Sequence, residues 1–341
     1  MWHPDDYLER LYRKLEEQRK TASQGPSAAE RERLRGRLQD LLGRFEEEEA
    51  PLQPKLLESE EMADGITRQR IEYSTAEGLR VPAYLLLPKE ARTGRRPAVL
   101  AWHGHGYGSR EAVGLLPDGT LNPGPPGIHR NFAVELARRG LVVLVPEIVG
   151  FGDRRIRQEA DGEPGSNSCF PIGAALLLAG RTIAGLRAWE ARRAADYLLT
   201  RDDVDGQRIG CFGFSGGGMV ASLSAALDDR MKATVITGYS NTYKTSILDR
   251  RHCLDNYIPG ILAEAEMPDL LALIAPRELY LEAGTEDHLF PVEQVKAVYQ
   301  GLAELYQSLG AGDAIGLDVF EGKHEICGRR SFDWIASRLK A

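Results

Sequence analysis

One serine in this 341-residue sequence has glycine both two positions before and two positions after it, in Gly213-Phe214-Ser215-Gly216-Gly217. With 36 glycines in the chain, composition alone yields about 0.2 such G-x-S-x-G matches, so the motif carries weight only with its context. That context is present. Arg208–Phe214 reads as a strand and Gly217–Leu227 as a helix, the strand-turn-helix setting in which a serine hydroxyl is held out on a sharp turn. Small neighbours let the chain close around the turn, and the helix N-terminus offers the Gly216 N–H to developing negative charge. This is the chemistry of a serine nucleophile attacking a carbonyl. A phosphate-binding loop is the rival reading, but neither G-x-x-x-x-G-K-[ST] nor G-x-G-x-x-G spacing is satisfied.

A serine nucleophile needs a base. His324, in Glu321-Gly322-Lys323-His324-Glu325, follows the last predicted strand and precedes the last helix, whereas His3 and His252 follow no strand. The histidine in turn needs a carboxylate to orient it. Gly284-Thr285-Glu286-Asp287-His288 directly follows the strand Glu278–Glu282, and Asp287 is preferred over Glu286 because a short carboxylate with a proline four residues later resembles the acid turn of serine hydrolases. Ser215, Asp287 and His324 are therefore the expected catalytic residues. Trp102-His103-Gly104-His105-Gly106 follows another strand, and the His105 N–H is the expected oxyanion partner of Gly216. Two imidazoles at i and i+2 with no third ligand nearby make a poor metal site, so no metal and no dissociable cofactor are expected. Arg181 and Trp189 are candidate substrate contacts, with a structural ion pair as the competing role for Arg181.

The elements that must carry these residues fall into two regions. Residues 1–64 hold 16 acidic and 11 basic side chains and read as a helical N-terminal arm. Leu8, Leu11, Tyr12 and Leu15 share one helix face. After a break at Gly25-Pro26-Ser27, with Ser27 as the cap, Leu34, Leu38, Leu41, Leu42 and Phe45 share another. These stripes must be buried on the main domain or on a second copy, making a homo-oligomer through the arm an expectation. Glu46 to Glu49 reads as a solvated helix end.

Residues 65–341 read as one catalytic domain. A hairpin around Glu77-Gly78 precedes strands at Ala98–Trp102, Leu141–Pro146, Arg208–Phe214, Ala233–Thr237, Glu278–Glu282 and Ile315–Phe320. Helices are predicted near 131–139, 182–199, 217–227, 268–274, 292–309 and 330–339. Such alternation implies an α/β fold with a mostly parallel central sheet and helices on both faces. Stretches near 155–181 and 239–266 exceed a tight connection and are expected to be small cap insertions over the serine.

Composition narrows the classes. Hydrophobic residues make up 43% and charged residues 27%, as in a globular protein, and the net charge of −7 argues against a nucleic-acid binder. No apolar run approaches a membrane span, and the N-terminus does not read as a signal peptide, so a cytoplasmic location with no membrane partner is expected. Cys169, Cys211, Cys253 and Cys327 have no CxxC spacing and read as structural thiols.

Taken together, the sequence resembles the α/β-hydrolase superfamily, in its bacterial branch of dienelactone hydrolase-like and acetyl xylan esterase-like proteins. The resemblance rests on His103-Gly104-His105-Gly106, the run from Glu147 to Asp153, Arg192 to Leu198, Val204 to Gly210, Gly213 to Gly218 and Ala275-Pro276-Arg277-Glu278-Leu279, and runs from about Ile66 to the C-terminus. It implies an α/β-hydrolase fold, the chain order Ser215, Asp287, His324 for a catalytic triad, and a small-molecule ester as substrate. Serine stands where dienelactone hydrolases proper have cysteine, which favours an esterase over a lactonase. His105 stands where acetyl xylan esterases carry tyrosine. A peptidase of the prolyl-oligopeptidase type, a carbon–carbon bond hydrolase and a catalytically relict binding module remain as alternatives.

Overall fold

A computed structural model describes residues 2–22 and 27–341. The predicted break at Gly25-Pro26 lies outside the described residues. Nine strands form one sheet: β1 Lys55–Glu61, β2 Thr67–Ala76, β3 Leu79–Leu87, β4 Arg96–Trp102, β5 Val142–Pro146, β6 Val204–Phe214, β7 Met231–Thr237, β8 Glu278–Gly284 and β9 Ile315–Phe320. Their spatial order is β1-β2-β3-β5-β4-β6-β7-β8-β9. From β5 onward in that order every pairing is parallel, and β1 to β3 add an antiparallel flank.

The helices are α1 Asp5–Ala22, α2 Ala28–Leu42, α3 Ser109–Ala112, α4 Phe132–Arg138, α5 Cys169–Leu178, α6 Ile183–Leu199, α7 Gly216–Leu227, α8 Ile261–Glu264, α9 Met267–Ala272, α10 Val292–Ser308 and α11 Ser331–Lys340. They cover both faces. Along β4, Ala98, Leu100 and Trp102 join the core shared with α2, α6 and α7, while Val99 and Ala101 join the core beneath α4 and α11. The period-two alternation of a strand thus feeds two cores, which is why these strands are apolar throughout. No single helix among the described residues is long and apolar enough to cross a membrane.

The first 64 residues depart from a purely helical arm. Lys55–Glu61 is an edge strand paired to β2, exposed along its whole length. Neither of its faces is buried, so no apolar alternation announced it, and its charges suit a solvent-facing edge. Ser27 caps α2, its Oγ accepting from the Glu30 N–H at 3.2 Å. Leu34, Leu38, Leu42 and Phe45 then bury into the main core, each fully buried apolar side chain contributing about 1.5–3 kcal/mol. α2 is therefore part of the body in cis. The acidic run after it, Glu46 to Glu49, is exposed as expected, and two of its members also reach cations: Glu48 pairs with Arg181, and Glu49 with Arg193 at 2.7 Å. α1 is held at the periphery by Tyr12 Oη donating to Glu266 at 3.0 Å and by Lys244 pairing with Glu9 at 3.0 Å, with Tyr7, Leu8 and Leu11 exposed.

Candidate active site

The parallel strands all end on one edge of the sheet, where their loops converge. β4 and β6 are neighbours, with Trp102 opposite Gly213, so the loop after β4 lies beside the turn after β6. Ser215 sits on that turn with φ +55°, an uncommon and strained conformation for a non-glycine residue. The flanking glycines have a steric reason. A Cβ on Gly213 would lie 2.1 Å from the Gly217 carbonyl oxygen, and one on Gly217 would lie 2.1 Å from that of Trp102. The strained turn is anchored by the Ser215 N–H donating to the Thr237 carbonyl at 2.9 Å.

Asp287 and His324 arrive from the loops after β8 and β9. Ser215 Oγ lies 2.8 Å from His324 Nε2, and His324 Nδ1 lies 2.7 Å from Asp287 Oδ2. With Nδ1 donating to the carboxylate, Nε2 is free to accept the serine proton. Asp287 is buried, and its other oxygen accepts the N–H groups of Leu289 at 2.9 Å and Phe290 at 3.0 Å. The imidazole lies between Phe290, stacked at 5.7 Å, and Phe214 at 5.0 Å. The hydrogen-bonded chain from Oγ through the imidazole to the carboxylate is unbroken, and the hydroxyl it begins from opens into a pocket.

The loop after β4 is braced by two histidines. His103 Nδ1 donates to the Gly104 carbonyl at 2.9 Å, and its Nε2 accepts the Ile148 N–H at 3.1 Å. His129 Nε2 accepts the Gly104 N–H at 2.9 Å, which leaves its proton on Nδ1, 3.3 Å from Glu111 Oε1. Burial would raise the Glu111 carboxyl, but His129 beside it and the Tyr107 N–H bond hold it below the ordinary carboxylate range. His105, next along, packs against Gly216: a Cβ on Gly216 would lie 3.1 Å from His105 Nδ1. The two residues read as oxyanion donors thus flank Ser215. Sequence reasoning missed His129 and Glu111, which lie on no strand and gain their role only by folding back onto Gly104.

A cavity of about 250 Å³ opens at Ser215, walled by Ile128, Phe214, Tyr239, Leu289 and Phe290, with Arg251, His252, Cys253 and Asn256 on the remaining side. The 239–266 segment supplies that last wall. The 155–181 segment does not line the cavity, which corrects the expectation of two cap walls: its helix α5 packs on α6 and on the turn Leu254–Asn256 instead. Arg181 and Trp189 also lie away from the site. Arg181 pairs with Glu48 and lies 4.8 Å over the Phe45 ring, so the structural ion pair is its role. Trp189 is buried on α6 with Arg192 5.6 Å over its ring. Both were singled out by residue type; Arg181 instead braces the N-terminal segment against the body, and Trp189 belongs to the core.

Of the four thiols, Cys327 is half-buried and stands apart from the other three. Cys211 is buried inside β6, as a structural thiol should be, and burial pushes it up to about 12. Cys169 and Cys253 instead converge beside His105, a meeting their spacing of 84 positions did not reveal.

Comparison with known proteins adds the following. The profile of the Dienelactone hydrolase family matches residues 126–308. The Bacillus subtilis (strain 168) protein named "Putative hydrolase YtaP" is 34% identical over 238 residues, covering 69% of this chain and 74% of that protein. Among solved structures, the glucuronoyl esterase from Solibacter usitatus superposes with a TM-score of 0.65 at 18% identity, over 91% of this chain and 92% of its own. Acetyl xylan esterase 1 from Thermoanaerobacterium sp. superposes with a TM-score of 0.58 at 17% identity, over 95% of this chain and 98% of its own. At those identities the two structures establish the α/β-hydrolase fold alone.

Proposed function

The chain belongs to the dienelactone hydrolase family, and on that premise we propose that it is a serine esterase cleaving a carboxylic ester of a small acyl group through an acyl-enzyme on Ser215. The observation that carries this reading is the unbroken contact from Ser215 Oγ through both nitrogens of His324 to a buried Asp287. Ser215 Oγ attacks the ester carbonyl as its proton passes to His324 Nε2. The tetrahedral oxyanion is met by the N–H groups of Gly216 and His105, each worth about 3–4 kcal/mol in a preorganised site. Collapse expels the alcohol, which takes the proton from Nε2. Water then attacks the acyl-enzyme with His324 as base, releasing the acid and restoring the serine.

Size supports a small acyl group. The cavity of about 250 Å³ falls below the roughly 300–1,000 Å³ of ordinary ligand pockets, and Phe214, Tyr239 and Phe290 close its apolar side. A small-molecule ester is thus the proposed partner. A fluorophosphonate probe, applied to the protein and to Ser215→Ala, combined with p-nitrophenyl acetate, butyrate and octanoate turnover, tests the proposal. Labelling of the wild type alone with fastest turnover of the shorter esters is expected. Labelling without ester turnover would favour a peptide or carbon–carbon substrate, and absence of labelling would leave the relict binding module.

A further inference from the structure

Beside the catalytic cavity, four side chains with metal-ligating atoms point at one another. His105 comes from the loop after β4, Cys169 begins α5, and Cys253 and Asp255 lie in the segment that walls the cavity. Their donor atoms all lie within 4.8 Å of one another, and no other such group of His, Cys, Asp and Glu occurs among the described residues. His105 Nε2 lies 3.8 Å from Asp255 Oδ2, and Cys169 Sγ lies 3.7 Å from the same oxygen. Ligand bonds of about 2.0–2.3 Å at the tetrahedral angle place donor atoms about 3.3–3.8 Å apart, so these two separations already match that spacing and the others lie within about 1 Å of its upper end or closer. His105 Nε2 is moreover buried with no hydrogen-bond partner, an expensive state for a ring nitrogen in a folded protein.

We infer that His105, Cys169, Cys253 and Asp255 form a binding site for a soft divalent cation of the Zn²⁺ class. Two sulfurs, one imidazole and one carboxylate are a donor set that selects such an ion over Mg²⁺ or Ca²⁺. Charge supports the assignment. Arg187 is fully buried at the back of the cluster, ion-paired to Asp255 and donating to Cys169 Sγ at 3.1 Å and to the Val149 carbonyl at 2.9 Å. Two thiolates and the carboxylate carry −3, the guanidinium +1, and a divalent ion brings the buried set to zero. Arg187 then orients Asp255 and Cys169 from behind, as outer partners of metal ligands do. Binding releases the two thiol protons to solvent.

All four tetrahedral positions are filled by the protein, which marks a structural ion rather than one that activates water. Its place gives it a consequence. It ties the loop bearing the His105 N–H to α5 and to the 251–257 wall, so the oxyanion loop and the pocket wall are fixed to each other through one ion. The donors come from three separated segments, and for that reason linear spacing predicts no metal.

The test is binding of the metal itself, which does not depend on the serine chemistry. The full chain, stripped with chelator under reductant, is titrated with Co²⁺ and then Zn²⁺. One Co²⁺ per chain is expected, with thiolate-to-cobalt charge-transfer absorption and intense tetrahedral d–d bands, displaced by one Zn²⁺ counted by plasma mass spectrometry. Loss of an outer partner alone weakens metal sites by about 10–100-fold, so Cys253→Ser and Cys169→Ser should each weaken binding by more than about 100-fold. His105→Gln should keep the charge-transfer band and change the d–d bands, and Ser215→Ala should bind as wild type does. No charge-transfer band with all thiols free, binding indifferent to both cysteine variants, or a Cys169–Cys253 disulfide in freshly purified protein would each overturn the assignment.

Discussion

Asp287 holds His324 by one carboxylate oxygen at 2.7 Å while its other oxygen is bound by the backbone N–H groups of Leu289 and Phe290. The carboxylate therefore cannot rotate without breaking backbone hydrogen bonds, and the imidazole is fixed with its proton on Nδ1. Replacing Asp287 by Asn allows the opposite tautomer, in which Nε2 carries the proton and cannot accept one from Ser215. Asp287→Asn should lower kcat by about 10⁴-fold with a small change in KM. An unchanged kcat for the variant, measured on p-nitrophenyl acetate, would remove Asp287 from the mechanism.

His129 acts at one remove from the reacting atoms. It accepts the Gly104 N–H, so it sets the path of the loop that carries the His105 N–H. His129→Ala should lower kcat by up to the 10²–10³-fold typical of losing one oxyanion donor, leaving KM little changed. His129→Gln, which keeps an acceptor, should recover part of the loss. A variant in which KM alone moves would assign the residue to binding instead.

The Glu111 carboxyl is held below the ordinary carboxylate range by His129 and the Tyr107 N–H against the opposing pull of burial. A carboxyl whose folded value is depressed contributes stability that is full above its unfolded value and is lost as pH falls through the folded one. Glu111→Gln should thus lower Tm at pH 7, and the gap to wild type should close as pH falls below the ordinary carboxylate range. Thermal denaturation across pH 3–8 checks it. A gap constant with pH would mean the side chain matters only for packing.

The two N-terminal helices should behave differently on truncation. Leu38 is fully buried in the main core, so Leu38→Ala should cost about 2–5 kcal/mol, read by chemical denaturation. Deleting residues 2–22 removes only peripheral contacts and should leave ester turnover intact. Deletion through residue 54 uncovers the α6 and α7 surface and should yield aggregated protein.

Contact between copies through α1 has Tyr7, Leu8 and Leu11 to use, since the stripe on α2 is spent in cis. If the expected homo-oligomer forms through α1, the wild type should run in light scattering above the mass of one chain and replacing the three by Ser should bring it down to that mass; a wild type already at the mass of one chain would overturn the expectation. An oligomer of unchanged mass would place the contact elsewhere.

Much of the site was legible in the residues themselves. A serine between two glycines at the end of an apolar strand states its own backbone geometry, because no larger residue fits at Gly213 or Gly217. Likewise, acid and histidine placed directly after strands must lie at the carboxyl edge of a parallel sheet, whatever the rest of the fold does. Local periodicity also marked the strands from β2 onward, since burial on both faces imposes an apolar pattern, and the longer helices between them, but not the short α3 and α8 or the ten-residue α5. Other features were invisible for physical reasons. β1 buries neither face and so leaves no pattern. Arg181 and Trp189 have residue types suited to a substrate, but which surface they reach depends on where α2 docks. His129 finds Gly104, and Cys169 finds Cys253, across 25 and 84 positions by the path of the chain in space. Local chemistry determined which residues could react; only tertiary packing decided which side chains support them and what walls the cavity they face.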